Sequence, residues 1–145
     1  MKKHDTIFRL GSFGKVPYGK IIHGRTWYFS GEKDDVYDAC ELDKMKSVDF
    51  KLYLQEHEAP VILVDVGGCR LSKKAQNVEF IGGKLMLLVT KNEQLIDELN
   101  YDDGFGNTIN IPTVIITKSL GDQIKKHIYN GLGYTPNFDF NIVII

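Results

Sequence analysis

The sequence predicts an α+β domain, in which short strands are joined by turns and two short helices. Three stretches carry that reading. Val61–Asp65 is a continuous aliphatic run, mostly β-branched, of the kind found in a strand buried on both faces. It passes through a glycine turn into a helical pattern and then a second apolar run, Lys84–Val89. The strand-then-helix order recurs over Ile111–Gly131, and the chain closes on Phe138, Phe140, Ile142 and Ile144, spaced at the period of two that marks a strand with one apolar face.

Taken in order, the first third is punctuated by Gly11, Gly14, Pro17, Gly19, Gly24 and Gly31. Between these, Gly19–Gly24 and Arg25–Phe29 read as two short strands. In Glu41–Glu58 the apolar residues Leu42, Met45, Phe50, Tyr53 and Leu54 fit neither period, so a loop with one helical turn is expected. After Val61–Asp65, Gly67 and Gly68 permit a tight turn. Ser72 is the expected N-cap of the following helix, its hydroxyl accepting from a first-turn N–H. Ala75, Val78 and Ile81 follow at helical spacing, and Gly82-Gly83 suits a left-handed stop. Beyond a polar loop, Lys91–Asn110, comes the strand Ile111–Thr117, where Pro112 points to an edge or a strand start. Ser119 is the next expected N-cap, with Asp122 near the positive helix end. Leu120, Ile124 and Ile128 form one stripe, and Gly131 ends that helix.

The chain has 145 residues, the size of one domain, and no repeat or linker divides it, so residues 1–145 are expected to fold together. Hydrophobic residues make up 43% and charged residues 26%, the ordinary globular range. A formal net charge of −1, with lysines and arginines scattered, argues against nucleic acid or an anionic membrane surface as partner. No apolar run approaches the roughly 18–20 residues that cross a bilayer. Met1-Lys2-Lys3-His4-Asp5 has no apolar stretch behind it and does not read as a secretion signal. The expectation is a cytosolic protein, or a domain whose targeting segments lie elsewhere.

Constellations for chemistry are not found. His4, His23, His57 and His127 sit in unrelated elements without paired spacing. There is no G-x-S-x-G elbow, H-E-x-x-H helix or P-loop. Gly11-Ser12-Phe13-Gly14 neither follows a strand nor opens a helix, and reads as a turn. The acidic group Asp97, Glu98, Asp102 and Asp103 lacks the alternating oxygen ligands of a calcium loop. Cys69 stands just before a helix N-terminus, which favours a thiolate, yet it has no evident base. Cys40 and Cys69 have no metal-ligand spacing, and by themselves are compatible with one disulfide or two buried thiols. No catalytic residue, metal or cofactor is expected.

Two motifs bring in a resemblance. Val61 to Lys74, V-I-L-V-D-V-G-G-C-R-L-S-K-K, resembles the central signature of protease-associated domains, an apolar strand ending in Asp, a glycine turn, a cysteine and a Ser/Lys helix start. Ile111 to Gly131, I-P-T-V-I-I-T-K-S-L-G-D-Q-I-K-K-H-I-Y-N-G, is similar to the second half of these domains, where I-P leads to a Ser-x-Gly helix start. Phe13-Gly14-Lys15-Val16-Pro17-Tyr18-Gly19 agrees, and the luminal domain of vacuolar sorting receptors is the particular likeness. The resemblance spans about Phe13 to Asn141, giving a domain core of about 13–145.

The resemblance implies a β-sandwich or barrel of about seven strands with two flanking short α-helices. It implies no catalysis, but recognition of a protein or peptide ligand in a luminal (endomembrane or vacuolar) or extracellular setting. The alternatives are a structural subunit that keeps the fold without ligand binding, or an accessory domain of a hydrolase. Carried across, the peptide-contacting turn is Val66, Gly67, Gly68, Cys69, Arg70 and Leu71. The glycines let main chain approach main chain there. Asp102 and Asp103 of the neighbouring polar loop would supply negative charge for a partner's N-terminus or basic side chain. On this reading Gly68→Arg should block the groove while the turn tolerates it. Two departures from the family pattern stand out. Val66 replaces the usual Arg, removing a charge-assisted anchor, and Gly68 replaces a residue that is often polar. The sequon that often precedes the I-P motif is absent.

The resemblance also implies that Cys40 and Cys69 are disulfide-bonded, with Cα atoms within about 7 Å. Closing that loop of about 30 residues contributes about 3–4 kcal/mol, so reduction should lower the unfolding free energy in a denaturant titration by that amount.

Overall fold

A computed structural model describes residues 8–10, 21–29, 37–45, 48–91, 108–128 and 139–143. Six strands are present among them, β1 (Phe8–Leu10), β2 (Ile21–Trp27), β3 (Val61–Asp65), β4 (Leu85–Val89), β5 (Thr113–Ile116) and β6 (Asp139–Val143). Four helices join them, α1 (Leu42–Met45), α2 (Val48–Glu56), α3 (Leu71–Ile81) and α4 (Lys118–Ile128). The strands form one sheet in the order β1-β5-β4-β3-β2-β6. Its four central strands run parallel, and β1 and β6 add antiparallel edges.

The α+β expectation holds in this coarser form. The sandwich or barrel of about seven strands does not, since the described strands make a single sheet. The reason lies in the connections. Helices α2 and α3, which lie between β2 and β4 in the chain, cover one face of the sheet, and α4, which follows β5, covers the other. The faces on which a second sheet would pack are therefore taken. Residues Trp27 and Ile62 are register partners, and the Trp27 ring meets Phe50 of α2 with centroids 5.1 Å apart. A Cβ placed on Gly83 would lie 2.7 Å from both Ile62 and Val78 of α3, so α2 and α3 share that face. Asp65 and Val89 are register partners on the opposite face, which α4 covers.

Val61, Ile62, Leu63 and Val64 are all fully buried, as are Leu85, Met86, Leu87 and Leu88, which explains their unbroken apolar runs. Val61–Asp65, Leu85–Val89 and Val114–Ile116 are neighbouring strands as expected. Pro112 takes the strand-start role, its carbonyl accepting from Met86 N at 3.1 Å. The Ser-x-Gly start of α4 also has a physical cause. A Cβ on Gly121 would lie 2.4 Å from Val89 Cγ1, so only glycine lets α4 approach β4 this closely.

Four local expectations are corrected. Glu41–Glu58 contains α1 and α2, and Phe50, Tyr53 and Leu54 are a helical stripe whose phase breaks between the two helices. Among the described residues 21–29 there is one strand, β2, that runs through Gly24, rather than the two expected to divide there. Arg70, not Ser72, occupies the N-cap of α3, and Ser72 is buried within the first turn. Thr117 caps α4 in place of Ser119, its Oγ1 accepting from Leu120 N at 3.4 Å. At the far end of α3, Gly82 adopts the left-handed stop with φ 110°. The Gly131 stop and the turns of residues 11–20 lie outside the described residues.

Val64 has no exposed surface, so Val64→Asp buries a charge without a partner. The expected loss is about 3 kcal/mol or more, read from thermal or urea unfolding, and a variant that melts like the wild type contradicts the assignment.

Candidate functional site

The turn after β3 is held by a lysine inside the fold. Lys74 lies on the stripe of α3 shared with Leu71, Ala75 and Val78, and has 0% exposure. Its ammonium donates to the Asp38 carbonyl at 2.5 Å, to the Asp65 carbonyl at 3.0 Å and to the Gly67 carbonyl. Three carbonyls, with Cys40 Sγ as a longer fourth contact at 3.7 Å, satisfy the three N–H protons, which is what a buried ammonium needs. Burial pushes the Lys74 amine down from 10.5 to about 8, opposed by the nearby Asp38 and Asp65, so it is protonated at neutral pH.

The same two segments are joined covalently. Cys40 and Cys69 form a disulfide with Cα atoms 5.9 Å apart, as the resemblance implied. Gly67 and Gly68 both have positive φ, 105° and 86°. A Cβ on Gly68 would stand 2.7 Å from Asp38 Oδ2 and 3.0 Å from Cys40 Sγ. Gly68→Arg is therefore not a neutral blocking variant, because both backbone strain and contact with the disulfide oppose it.

At the end of β3, Asp65 is a junction. Its carboxylate accepts from Tyr28 OH at 2.5 Å, from Tyr37 N at 2.9 Å and from Lys125 Nζ of α4 at 2.8 Å. The Asp65 N–H in turn donates to the Tyr37 carbonyl at 2.6 Å. Lys125 also lies over the Tyr28 ring, 4.8 Å from its centroid. Burial raises the Tyr37 phenol far above its usual range, so it stays neutral. The Asp that ends the strand motif is thus spent on joining β3, the 37–40 segment and α4.

Beside this junction opens a pocket of about 450 Å³ at the carboxyl ends of β3 and β4, lined by Asp65, Val66, Val89, Thr90, Lys91, Lys118, Asp122 and Lys125. Crevices at the carboxyl ends of parallel strands are where open sheets commonly take ligands. Lys118 pairs with Asp122 at 2.7 Å and Lys125 with Asp65, while Lys91 is exposed above Gly67.

Of the residues expected to contact a peptide, Val66 lines this pocket, Gly68 and Arg70 are exposed, Gly67 is partly exposed, and Leu71 packs partly into the core. The Gly67 carbonyl is occupied by Lys74 and Val66 N by the Val89 carbonyl, so part of the turn's backbone is already bonded. Asp102 and Asp103 lie outside the described residues. Lys74, Lys91, Lys118 and Lys125 were missed. A signal for Lys74 did exist, a lysine on an otherwise apolar helical stripe; nothing local marks the other three. Among the described residues no group of three or more His, Cys, Asp or Glu is placed to hold a metal ion.

No protein-family profile matches the chain. Vacuolar-sorting receptor 7 of Arabidopsis thaliana is 28% identical over 145 residues, 95% of this chain and 21% of the receptor. Vacuolar-sorting receptor 2 of the same plant is 29% identical over 131 residues, 84% of this chain and 20% of that protein. Among solved structures, a zinc aminopeptidase from Bacillus subtilis matches with a TM-score of 0.59 and 16% identity, over 86% of this chain and 26% of the aminopeptidase. An aminopeptidase from Aneurinibacillus sp. strain AM-1 does so with a TM-score of 0.59 and 12% identity, over 94% of this chain and 29% of that one. The chain thus spans about a fifth of the receptors it matches and about a quarter of the enzymes whose fold it shares. Both findings are consistent with a protease-associated-type domain, and the resemblance to sorting receptors stands.

Lys74→Met leaves three carbonyls without their donor and should cost about 2–4 kcal/mol in urea unfolding. The pH dependence has a definite sign. Between about 8 and 10.5 the unfolded chain binds more protons at Lys74 than the folded one, so stability rises with pH across that window. The stability difference between wild type and Lys74→Met should grow there, and a difference flat in pH contradicts the buried ammonium.

Proposed function

We propose that this protease-associated-type domain is a non-catalytic module that binds a protein or peptide, using the Val66–Leu71 turn and the pocket beside it. The observation that carries the reading is the way the turn is held. Lys74 and the disulfide fix its inner side, which leaves exposed Gly68 and Arg70 presented on a rigid frame. Rigid presentation lowers the ordering cost of binding, so a short turn suffices as an anchor.

The ligand chemistry follows from the charges at hand. Val66 stands where the family's Arg would, and Arg70 and Lys91 are the exposed cations flanking the turn. An extended peptide would lie across the turn, with an acidic side chain or carboxylate near Arg70 and Lys91 and its apolar residues towards Val66 and Val89. The expected Asp102 and Asp103 belong to the same proposal as a counter-charge for a basic group on the partner. Similarity to sorting receptors and the disulfide support a luminal or extracellular setting, where thiols oxidise.

The test is an array of random dodecapeptides with free N-termini, probed with the folded wild-type domain. Arg70→Glu combined with Lys91→Glu should weaken the selected peptides by about tenfold or more, as loss of two charge-assisted contacts predicts. Phe80→Ser, on the exposed side of α3, should leave binding unchanged. Equal binding by wild type and the double variant removes the turn as the site.

A further inference from the structure

We propose that the Cys40–Cys69 disulfide is a directional thiol-exchange site, at which an incoming thiolate attacks Cys69 Sγ and Cys40 leaves as a thiolate beside Lys74. This reading does not depend on the peptide-binding proposal. It rests on an asymmetry between the two sulfurs. The Lys74 ammonium lies 3.7 Å from Cys40 Sγ, and among the described residues it hydrogen-bonds to that sulfur and not to Cys69. Its position is fixed by the carbonyls of Asp38, Asp65 and Gly67 and by complete burial. A fixed full charge is thus stored beside Cys40. Cys69, just before the N-terminus of α3 and next to the exposed Arg70, has only a partial charge and a solvent-screened one, which the buried ammonium outweighs.

Both cysteines are partly exposed, and Cys69 lies between Gly68 and Arg70, both exposed, so a reagent can reach it from solvent. Cys40 Sγ lies 3.6 Å from the Asp38 carbonyl oxygen and 3.7 Å from that of Gly67. Those dipoles oppose a thiolate, but each already accepts a proton from Lys74, and a full charge at this distance outweighs them. The Asp38 carboxylate is turned to the Cys40 N–H, which donates to Oδ1 at 3.0 Å. In thiol–disulfide exchange the sulfur with the lower thiol pKa leaves faster, so charge placement selects the sulfur attacked.

The step balances as an ordinary exchange. The thiolate forms a new S–S bond to Cys69 as the Cys40–Cys69 bond breaks, and the electron pair goes to Cys40. If the reagent is a dithiol, its second thiolate attacks the mixed disulfide and releases Cys69, and the dithiol is oxidised as the protein is reduced by two electrons. Lys74 still bridges the Asp38 and Gly67 carbonyls throughout, so the turn keeps a non-covalent tie while the covalent one is open.

The experiment treats the folded wild-type protein with limiting reduced glutathione, quenches with acid at low conversion, alkylates and maps peptides. The expected product carries glutathione on Cys69 and the alkyl label on Cys40, favoured about tenfold or more over the reverse. Glutathione on Cys40, or an even split, overturns the proposal. Two single-thiol variants provide a second readout through the pH dependence of iodoacetamide alkylation. The Cys40 thiol in Cys69→Ser should titrate about one unit or more below the Cys69 thiol in Cys40→Ser. Equal values overturn it as well. Lys74→Met should erase both differences; if that variant does not fold, the wild-type map and the serine pair still decide.

Discussion

A charge inside the fold, Lys74, must be fully bonded for the rest of the site to exist. An ammonium without acceptors in an apolar interior costs several kcal/mol, so the segments that supply its carbonyls have to converge on it. Those segments are the end of β3 through Asp65, the turn through Gly67, and the 37–40 stretch through Asp38. The disulfide at Cys40 and Cys69 and the positive φ of Gly67 and Gly68 are accommodations to that convergence. A side chain at 68 would collide with the group the lysine gathers.

Asp65 performs the matching task on the opposite face of the sheet. Its carboxylate takes three donors from three parts of the chain, and Lys125 brings α4 over the end of β3. The close approach of α4 at Gly121 completes the packing, and the pocket is the space left between this helix and the strand ends. One strand end thus organises both faces, through its carbonyl towards Lys74 and its carboxylate towards Lys125. The turn that follows Asp65 is therefore held from both sides, a condition suited to presenting a few exposed residues reproducibly.

The fold that emerges also explains why a domain with so many strands differs from a sandwich. Parallel pairing of β2, β3 and β4 uses helical crossovers that take one face, and α4, which follows β5, takes the other. The likeness in fold to aminopeptidase structures at 16% and 12% identity is a likeness of this arrangement alone.

Strand and helix periods belong to the local sequence, because burial on one or both faces is written as spacing. Val61–Asp65, Leu85–Val89, the left-handed stop at Gly82 and the α4 stripe were legible for that reason. Helices α1 and α2 were not, because a break in phase between two short helices looks like no period at all. The turn at Val66–Leu71 and the pairing of Cys40 with Cys69 came from resemblance, and tertiary structure placed them together. Only the folded chain decided that a lysine of α3 would be buried against three carbonyls, that Asp65 would be consumed by three donors, and that Lys91, Lys118 and Lys125 would border one pocket. These are contacts between residues far apart in sequence, and no local period records which distant carbonyl or carboxylate a charged side chain will meet.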